Sequence, residues 1–212
     1  MPTPNKEKWI NIAEKFYKEA NFPNCVGAID GKHIRITCPP NAGSKYYNYK
    51  KYHSIILLAV VDADYCFTFI DVGAPGREGD AAFGLNKNVM RPFSLRNITT
   101  PKKIYNYRLS RARRFVEECA FGILSNKWRI FHSSIMINPL SAKHIIKAAC
   151  VLHNFVRRRD GYQFEDTIRC DMEEFDGVQA VGGRSSGIAV RVSFVEYFNG
   201  PGAVPWQNRM IH

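Results

Sequence analysis

Acidic residues are scarce in this chain. Nineteen Asp and Glu stand against 30 Lys and Arg, a formal charge of +11, which points to a polyanionic partner and away from a cationic one. The shortage is uneven. Eight of the acidic residues but only four of the basic ones lie from Asp160 onward, which leaves 26 basic against 11 acidic in residues 1–159. Long apolar runs are also missing: nothing approaches the roughly 18 residues that a membrane-spanning helix needs. Met1-Pro2-Thr3-Pro4-Asn5-Lys6 has no apolar signal region, so secretion is not expected. The six cysteines are scattered and form no Cys-x-x-Cys pair, which argues against a zinc knuckle or a disulfide framework and for reduced thiols. No phosphate-binding Walker loop, His-Glu-x-x-His or nucleophile elbow occurs. What remains is a chain of 212 residues, 45% hydrophobic, able to bury one sizeable core.

Residues 4–20 read as an amphipathic helix capped by Thr3, with Trp9, Ile12, Ala13, Phe16 and Ala20 on one face. Residues 24–36 read as a strand that sets a carboxylate, Asp30, among apolar neighbours. A buried carboxylate is costly without a compensating cation or donors, so such a strand suits a site, although an Asp-Gly turn between short strands is the blander reading. Residues 52–61 form a continuous apolar run, as a strand buried on both faces requires. Asp62-Ala63-Asp64 is a turn, and Cys66 to Val72 returns as the paired strand. A glycine-rich loop, residues 73–80, ends in Asp80. Tyr105 to Leu124 reads as one helix centred on Val116, with Leu109, Ala112, Ala120 and Ile123 on its inner face. Asn138-Pro139 opens another helix that ends at Arg157-Arg158-Arg159. Residues 189–198 suit a short closing helix.

Asp30, Asp80 and a glutamate at 117 or 118 thus sit on three separate elements. Three converging carboxylates can hold Mg²⁺ or Mn²⁺, and two such ions suit phosphodiester chemistry. The glutamate helix also carries Arg108, Arg111, Arg113 and Arg114, a candidate line of phosphate contacts. By spacing alone this is a weak signal in a chain with 19 acids.

Several motifs sharpen it. Val26-Gly27-Ala28-Ile29-Asp30-Gly31-Lys32-His33-Ile34, Gly76-Arg77-Glu78-Gly79-Asp80, Tyr107-Arg108-Leu109-Ser110-Arg111-Ala112-Arg113-Arg114-Phe115-Val116-Glu117, Leu152-His153-Asn154-Phe155 and Gly202-Ala203-Val204-Pro205-Trp206 together resemble the DDE endonuclease domain of PIF/Harbinger-type transposases, the ALP1-like and HARBI-like nucleases. The resemblance implies an α/β, RNase H-like mixed sheet flanked by helices. It implies Asp30 as the first catalytic and metal-binding acid. Counted from Arg114 the last acid is Glu117; counted back from Phe121-Gly122 it is Glu118, as though one residue were inserted. Helix geometry favours Glu117, about 100° from the face centre, over Glu118 at about 200°. Asp80 matches twice, as the end of the family's Pro-Gly…Asp loop and as the start of its later Gly-Asp-x-x-Phe motif. The resemblance therefore implies an internal deletion joined at Asp80, and a sheet short of one strand.

The expected organisation is a nuclease domain over residues 1–159, an acidic and glycine-rich linker over 160–190 and a docked tail over 191–212. The expected function is divalent-metal-dependent cutting or strand transfer of DNA by Asp30, Asp80 and Glu117, in the nucleus with the cytoplasm as the alternative, and with a separate DNA-binding protein as a further partner. The alternative is a catalytically inactive derivative that acts as a DNA- or protein-binding module.

Overall fold

The computed structural model describes residues 1–78, 84–161 and 185–211. Helix α1 spans Lys6–Ala20 and buries Ile12, Phe16 and Ala20. Its cap is Asn5 in place of the expected Thr3, because the Asn5 carboxamide oxygen accepts from the Lys8 amide at 2.9 Å. Asn21 ends the helix in the left-handed region, φ 56°.

Three strands follow: β1 (Ala28–Arg35), β2 (Ser54–Val61) and β3 (Phe67–Pro75). They form an antiparallel meander in the order β1-β2-β3. Asp30 lies opposite Ala59, which lies opposite Ile70. This register sets Ala28, Asp30, Lys32 and Ile34 on the same face as Ile55, Leu57, Ala59, Val61, Phe67 and Val72, all of them buried. The opposite face is more open, with Phe69 54% exposed. The turn between β2 and β3 forms as expected, since Asp62 accepts through one carboxylate oxygen from the amides of Asp64 and Cys66, each at 2.9 Å.

The sheet is three-stranded and antiparallel among the described residues, a partial RNase H-like arrangement flanked by helices. The expected mixed pairing survives as one parallel bridge. Ile135 bonds along the outer edge of β1, donating to the Arg35 carbonyl at 3.0 Å and accepting from the Thr37 amide at 3.1 Å.

The long helix expected over Tyr105 to Leu124 is a helical run in three parts. Helix α2 covers Thr100–Arg114, a π-helical stretch covers Phe115–Ala120, and α3 covers Phe121–Lys127. A π turn holds one residue more than an α turn, so the buried face slips by one position beyond it. Phe121 and Leu124 are fully buried where Ala120 and Ile123 were expected to carry the face, although Ala120 stays inside. Helix α4 (Pro139–Arg159) begins at the Asn138 cap, whose side chain accepts from the Ser141 amide.

Three α4 side chains hold the β2–β3 turn. His153 bonds the Tyr65 carbonyl through Nε2 at 2.8 Å. Asn154 accepts from the Phe67 amide and donates to its carbonyl, at 2.8 and 2.7 Å, much as a neighbouring strand would. Arg157 donates to the Asp64 carbonyl and lies over the Tyr65 ring. The arginine run therefore begins inside the protein, with Arg157 3% exposed.

Helix α5 (Ser185–Asn199) packs Phe194 and Phe198 against Phe22, and Phe198 against Tyr105. In the tail Gln207 is buried, 3% exposed, and its side chain donates to the Phe198 carbonyl at 2.8 Å. The expected linker lies for the most part outside the described residues.

Candidate active site

β1 carries Asp30 on its buried face, 7% exposed, directly beneath the helical run. A carboxylate so enclosed needs a cation, and Arg113 at the end of α2 supplies it. One guanidinium nitrogen of Arg113 lies 3.7 Å from an Asp30 oxygen and 3.4 Å from a Glu117 oxygen. The two carboxylates, from a strand and a helix 87 residues apart in sequence, therefore meet around a single positive charge. Arg113 and Glu117 are one turn apart, a spacing that supports such a pair by itself. Lys32, two residues along β1 from Asp30 and on the same face, is 5% exposed and adds a second cation, this one buried.

The π-helical stretch sets which glutamate faces Asp30. Glu117 is 22% exposed and shares Arg113 with Asp30. Glu118, 55% exposed, turns outward and pairs with Arg114 at 2.5 Å. The extra residue held in the π turn also explains why the two ways of counting disagree. Counting from Arg114 stays in register up to the turn, and counting back from Phe121 stays in register after it.

Asp80 lies outside the described residues. Among the described residues no three His, Cys, Asp or Glu side chains are grouped to hold a metal ion. The donor set that is present does fit a hard divalent cation. It consists of two carboxylates already drawn to one cationic nitrogen, and carboxylate oxygen is the ligand such ions favour.

The four arginines do not form a line of phosphate contacts. Arg108 is 2% exposed, and its guanidinium donates to the Gly202 carbonyl, the Gln207 side chain and the Asn21 carbonyl. It ties α1, α2 and the tail together, and the Phe198 ring lies under it. Arg111 donates to the carbonyls of Glu19 and Ala20, covering the C-terminal end of α1. Arg113 holds the two acids. Arg114 alone of the four keeps most of its side chain in solvent, 67%.

Pairing of the two glutamates with Arg113 and Arg114 is legible in the sequence, but the reach of Arg113 to Asp30 and the burial of Lys32 are not. The signal for the pairing is the four-residue spacing, as of Arg113 and Glu117.

Comparison with known proteins turns on the same residues. A family described as DDE superfamily endonuclease matches residues 29–81 and again 78–154, more than half of the chain. The chain belongs to the DDE superfamily endonucleases. The first match begins one residue before Asp30, and the second contains Glu117. The two overlap at residues 78–81, so Gly79 and Asp80 belong to both, as the doubled motif implied.

Among individual relatives, the chain is 27% identical over 173 residues to "Putative nuclease HARBI1" of Bos taurus and equally to that of Homo sapiens. Each match covers 68% of this chain and 49% of the relative. "Protein ALP1-like" of Arabidopsis thaliana is 26% identical over 201 residues, covering 75% of this chain and 49% of that protein. The chain thus spans about half the length of the curated relatives it matches. The cattle match runs over 173 positions while using about 144 residues here, 68% of 212. About 29 positions of the relative in that stretch therefore have no counterpart. No solved structure matches the chain. Descent from a transposase-derived, Harbinger-type DDE nuclease follows from the family match and these relatives.

Proposed function

We propose that this chain carries the acidic core of a divalent-metal-dependent DNA endonuclease, with Asp30 and Glu117 as ligands and Asp80 as the third. The observation that carries the reading is the meeting of Asp30 and Glu117 around Arg113. Mg²⁺ or Mn²⁺ would be held by these carboxylates. When bound, such an ion supplies positive charge where negative charge develops on a phosphodiester. Arg113 offsets part of the negative charge of the two acids while no metal is bound. With a metal held by these acids, its guanidinium would be available beside the site as a donor for a phosphate oxygen. Lys32 adds to the positive field that draws a phosphate to buried carboxylates. DNA as the substrate is in keeping with the family and with the basic balance of residues 1–159. The same family and charge make the nucleus the expected place of work. A separate DNA-binding partner protein belongs to the same proposal.

The test is nicking of supercoiled plasmid in Mn²⁺ by the purified chain, beside Asp30→Asn, Asp80→Asn and Glu117→Gln. Activity lost in all three supports the reading. Activity equal to wild type in Asp30→Asn overturns it.

A second reading is favoured by the family match overlapping itself at residues 78–81 and by a β1 that stands at the edge of the described sheet. On that reading the chain is an inactive derivative that binds DNA or protein. A folded wild type that binds duplex DNA and never nicks it, in Mg²⁺ or Mn²⁺, would establish this instead.

A further inference from the structure

The connection between β1 and β2 has no part in the acidic site, yet it is built with care. Residues 44–53 read Ser-Lys-Tyr-Tyr-Asn-Tyr-Lys-Lys-Tyr-His, with four tyrosines, three lysines and no acid. The segment is folded tightly on a buried asparagine. Asn48, 3% exposed, donates through Nδ2 to the Ser54 hydroxyl at 3.0 Å and accepts from the Tyr52 amide at 3.2 Å. The Asn48 amide donates to the Tyr52 carbonyl at 2.9 Å, and the Ser54 amide donates to the Tyr46 carbonyl at 2.8 Å. Tyr47 and His53 form an antiparallel bridge. The backbone is therefore held in one shape before any ligand arrives.

That frame carries two exposed rings. Tyr47 is 43% exposed and Tyr49 52%. Each is braced by a histidine, Tyr47 by His53 at 5.3 Å and Tyr49 by His33 at 5.7 Å between ring centroids. Cations stand among the rings: Lys50 is 5.8 Å from the Tyr49 ring, Lys45 is 5.7 Å from Tyr46 and Arg35 is 4.2 Å from Tyr52. The local field is positive, and Lys50 and Lys32 join burial in pushing His33 down to about 4. His33 lies three residues along β1 from Asp30 and therefore on the opposite face of the sheet.

Rigid exposed aromatics interleaved with lysines match one kind of ligand. Unpaired nucleotides offer a flat face for each ring and a phosphate for each cation. A duplex keeps its base faces inside its own stack and offers the rings nothing. We propose that the loop of Tyr47 and Tyr49 is a docking surface for single-stranded DNA. The choice of DNA over RNA rests on the function proposed above; the stacking surface does not.

The experiment is fluorescence anisotropy with three labelled probes: an unpaired dT 12-mer, an abasic 12-mer with the same phosphates, and a 12-base-pair duplex. Wild type binds the dT 12-mer more tightly than the abasic strand. Tyr47→Ala and Tyr49→Ala each weaken dT binding about tenfold, in keeping with the cost of losing one base–aromatic stack. Tyr47→Phe and Tyr49→Phe restore it to within about twofold, because the ring and not the hydroxyl carries the contact. Duplex affinity is unchanged in all four variants, whose exposed positions leave the fold intact by circular dichroism. Equal binding of dT and abasic strands, alanine variants that bind dT like wild type, or no binding of dT at all would each overturn the proposal. Plasmid nicking is scored on the same preparations. Nicking without ring-dependent binding overturns this surface and leaves the nuclease standing; ring-dependent binding without nicking does the reverse.

Discussion

Replacing Arg113 by alanine separates the two states of the acidic site. The variant removes a nitrogen 3.7 Å from Asp30 and 3.4 Å from Glu117. At an effective dielectric near 20, each such contact is worth about 4 kcal/mol of gross attraction. Desolvation and side-chain ordering cancel most of that. Exposed pairs net about 0–1 kcal/mol, and breaking a buried pair costs about 3–5 kcal/mol. Asp30 is 7% exposed and Arg113 35%, so the expected loss falls between, at about 2 kcal/mol. In a chain of this size that lowers Tm by about 4–8 °C in the absence of metal. A divalent cation must displace the guanidinium from wild type but not from Arg113→Ala. Mn²⁺ should therefore bind the variant more tightly, by up to about thirtyfold for the same 2 kcal/mol. Saturating Mn²⁺ should also return most of the lost Tm. Scanning calorimetry with and without Mn²⁺ measures both effects, and Asp30→Asn supplies the baseline with no metal response. If Mn²⁺ raises wild type and Arg113→Ala equally, the guanidinium and the metal do not compete for these acids and the reasoning fails.

Arg108→Ala should cost about 3 kcal/mol or more by urea denaturation, since it strands the acceptors of Asn21, Gly202 and Gln207 around an emptied volume. Duplex binding by the folded fraction should be unchanged; a loss there at full stability would return Arg108 to the phosphate contacts. Asn154→Leu should cost about 2–3 kcal/mol, because the Phe67 amide and carbonyl both lose their partner. The acidic site should keep its Mn²⁺ response in that variant. Burial holds His153 down at about 4, against an ordinary value near 6.5. The unfolded chain takes up that proton first, so stability is lost as pH falls from about 6.5 toward 4, by up to about 3 kcal/mol. His33, also lowered to about 4, adds in the same direction. Comparing wild type with His153→Gln across this window should show a shallower fall in the variant, and identical slopes would contradict the assignment.

Local pattern made much of this architecture legible. The strand around Asp30, the apolar β2, the Asp62 turn and the Asn138-Pro139 helix start all follow from nearest-neighbour chemistry, and all four form. The misses share a different cause. Arg108 looks like a surface cation on a basic helix, and only the folded path of Asn21 and Gln207 shows that it is interior. The π turn leaves no mark in composition. Its trace was the disagreement between two counts that led to Glu117 and to Glu118, and only the backbone shows that an extra residue is absorbed there. The partnership of His153, Asn154 and Arg157 with the β2–β3 turn joins residues about 90 apart, a distance that periodicity cannot cross. The doubled identity of Asp80 was readable, because two motifs claimed one residue and the family matches overlap on it.

The central claim is that Asp30 and Glu117 are two ligands of one metal site, with Glu118 a bystander. Mn²⁺-dependent nicking of supercoiled plasmid by wild type, Asp30→Asn, Glu117→Gln and Glu118→Gln tests it most directly. The account predicts nicking by wild type and Glu118→Gln, with at least a hundredfold loss in the other two, about 2.7 kcal/mol at the barrier. A folded wild type that does not nick in Mn²⁺, or a Glu117→Gln that nicks while Glu118→Gln does not, would contradict it.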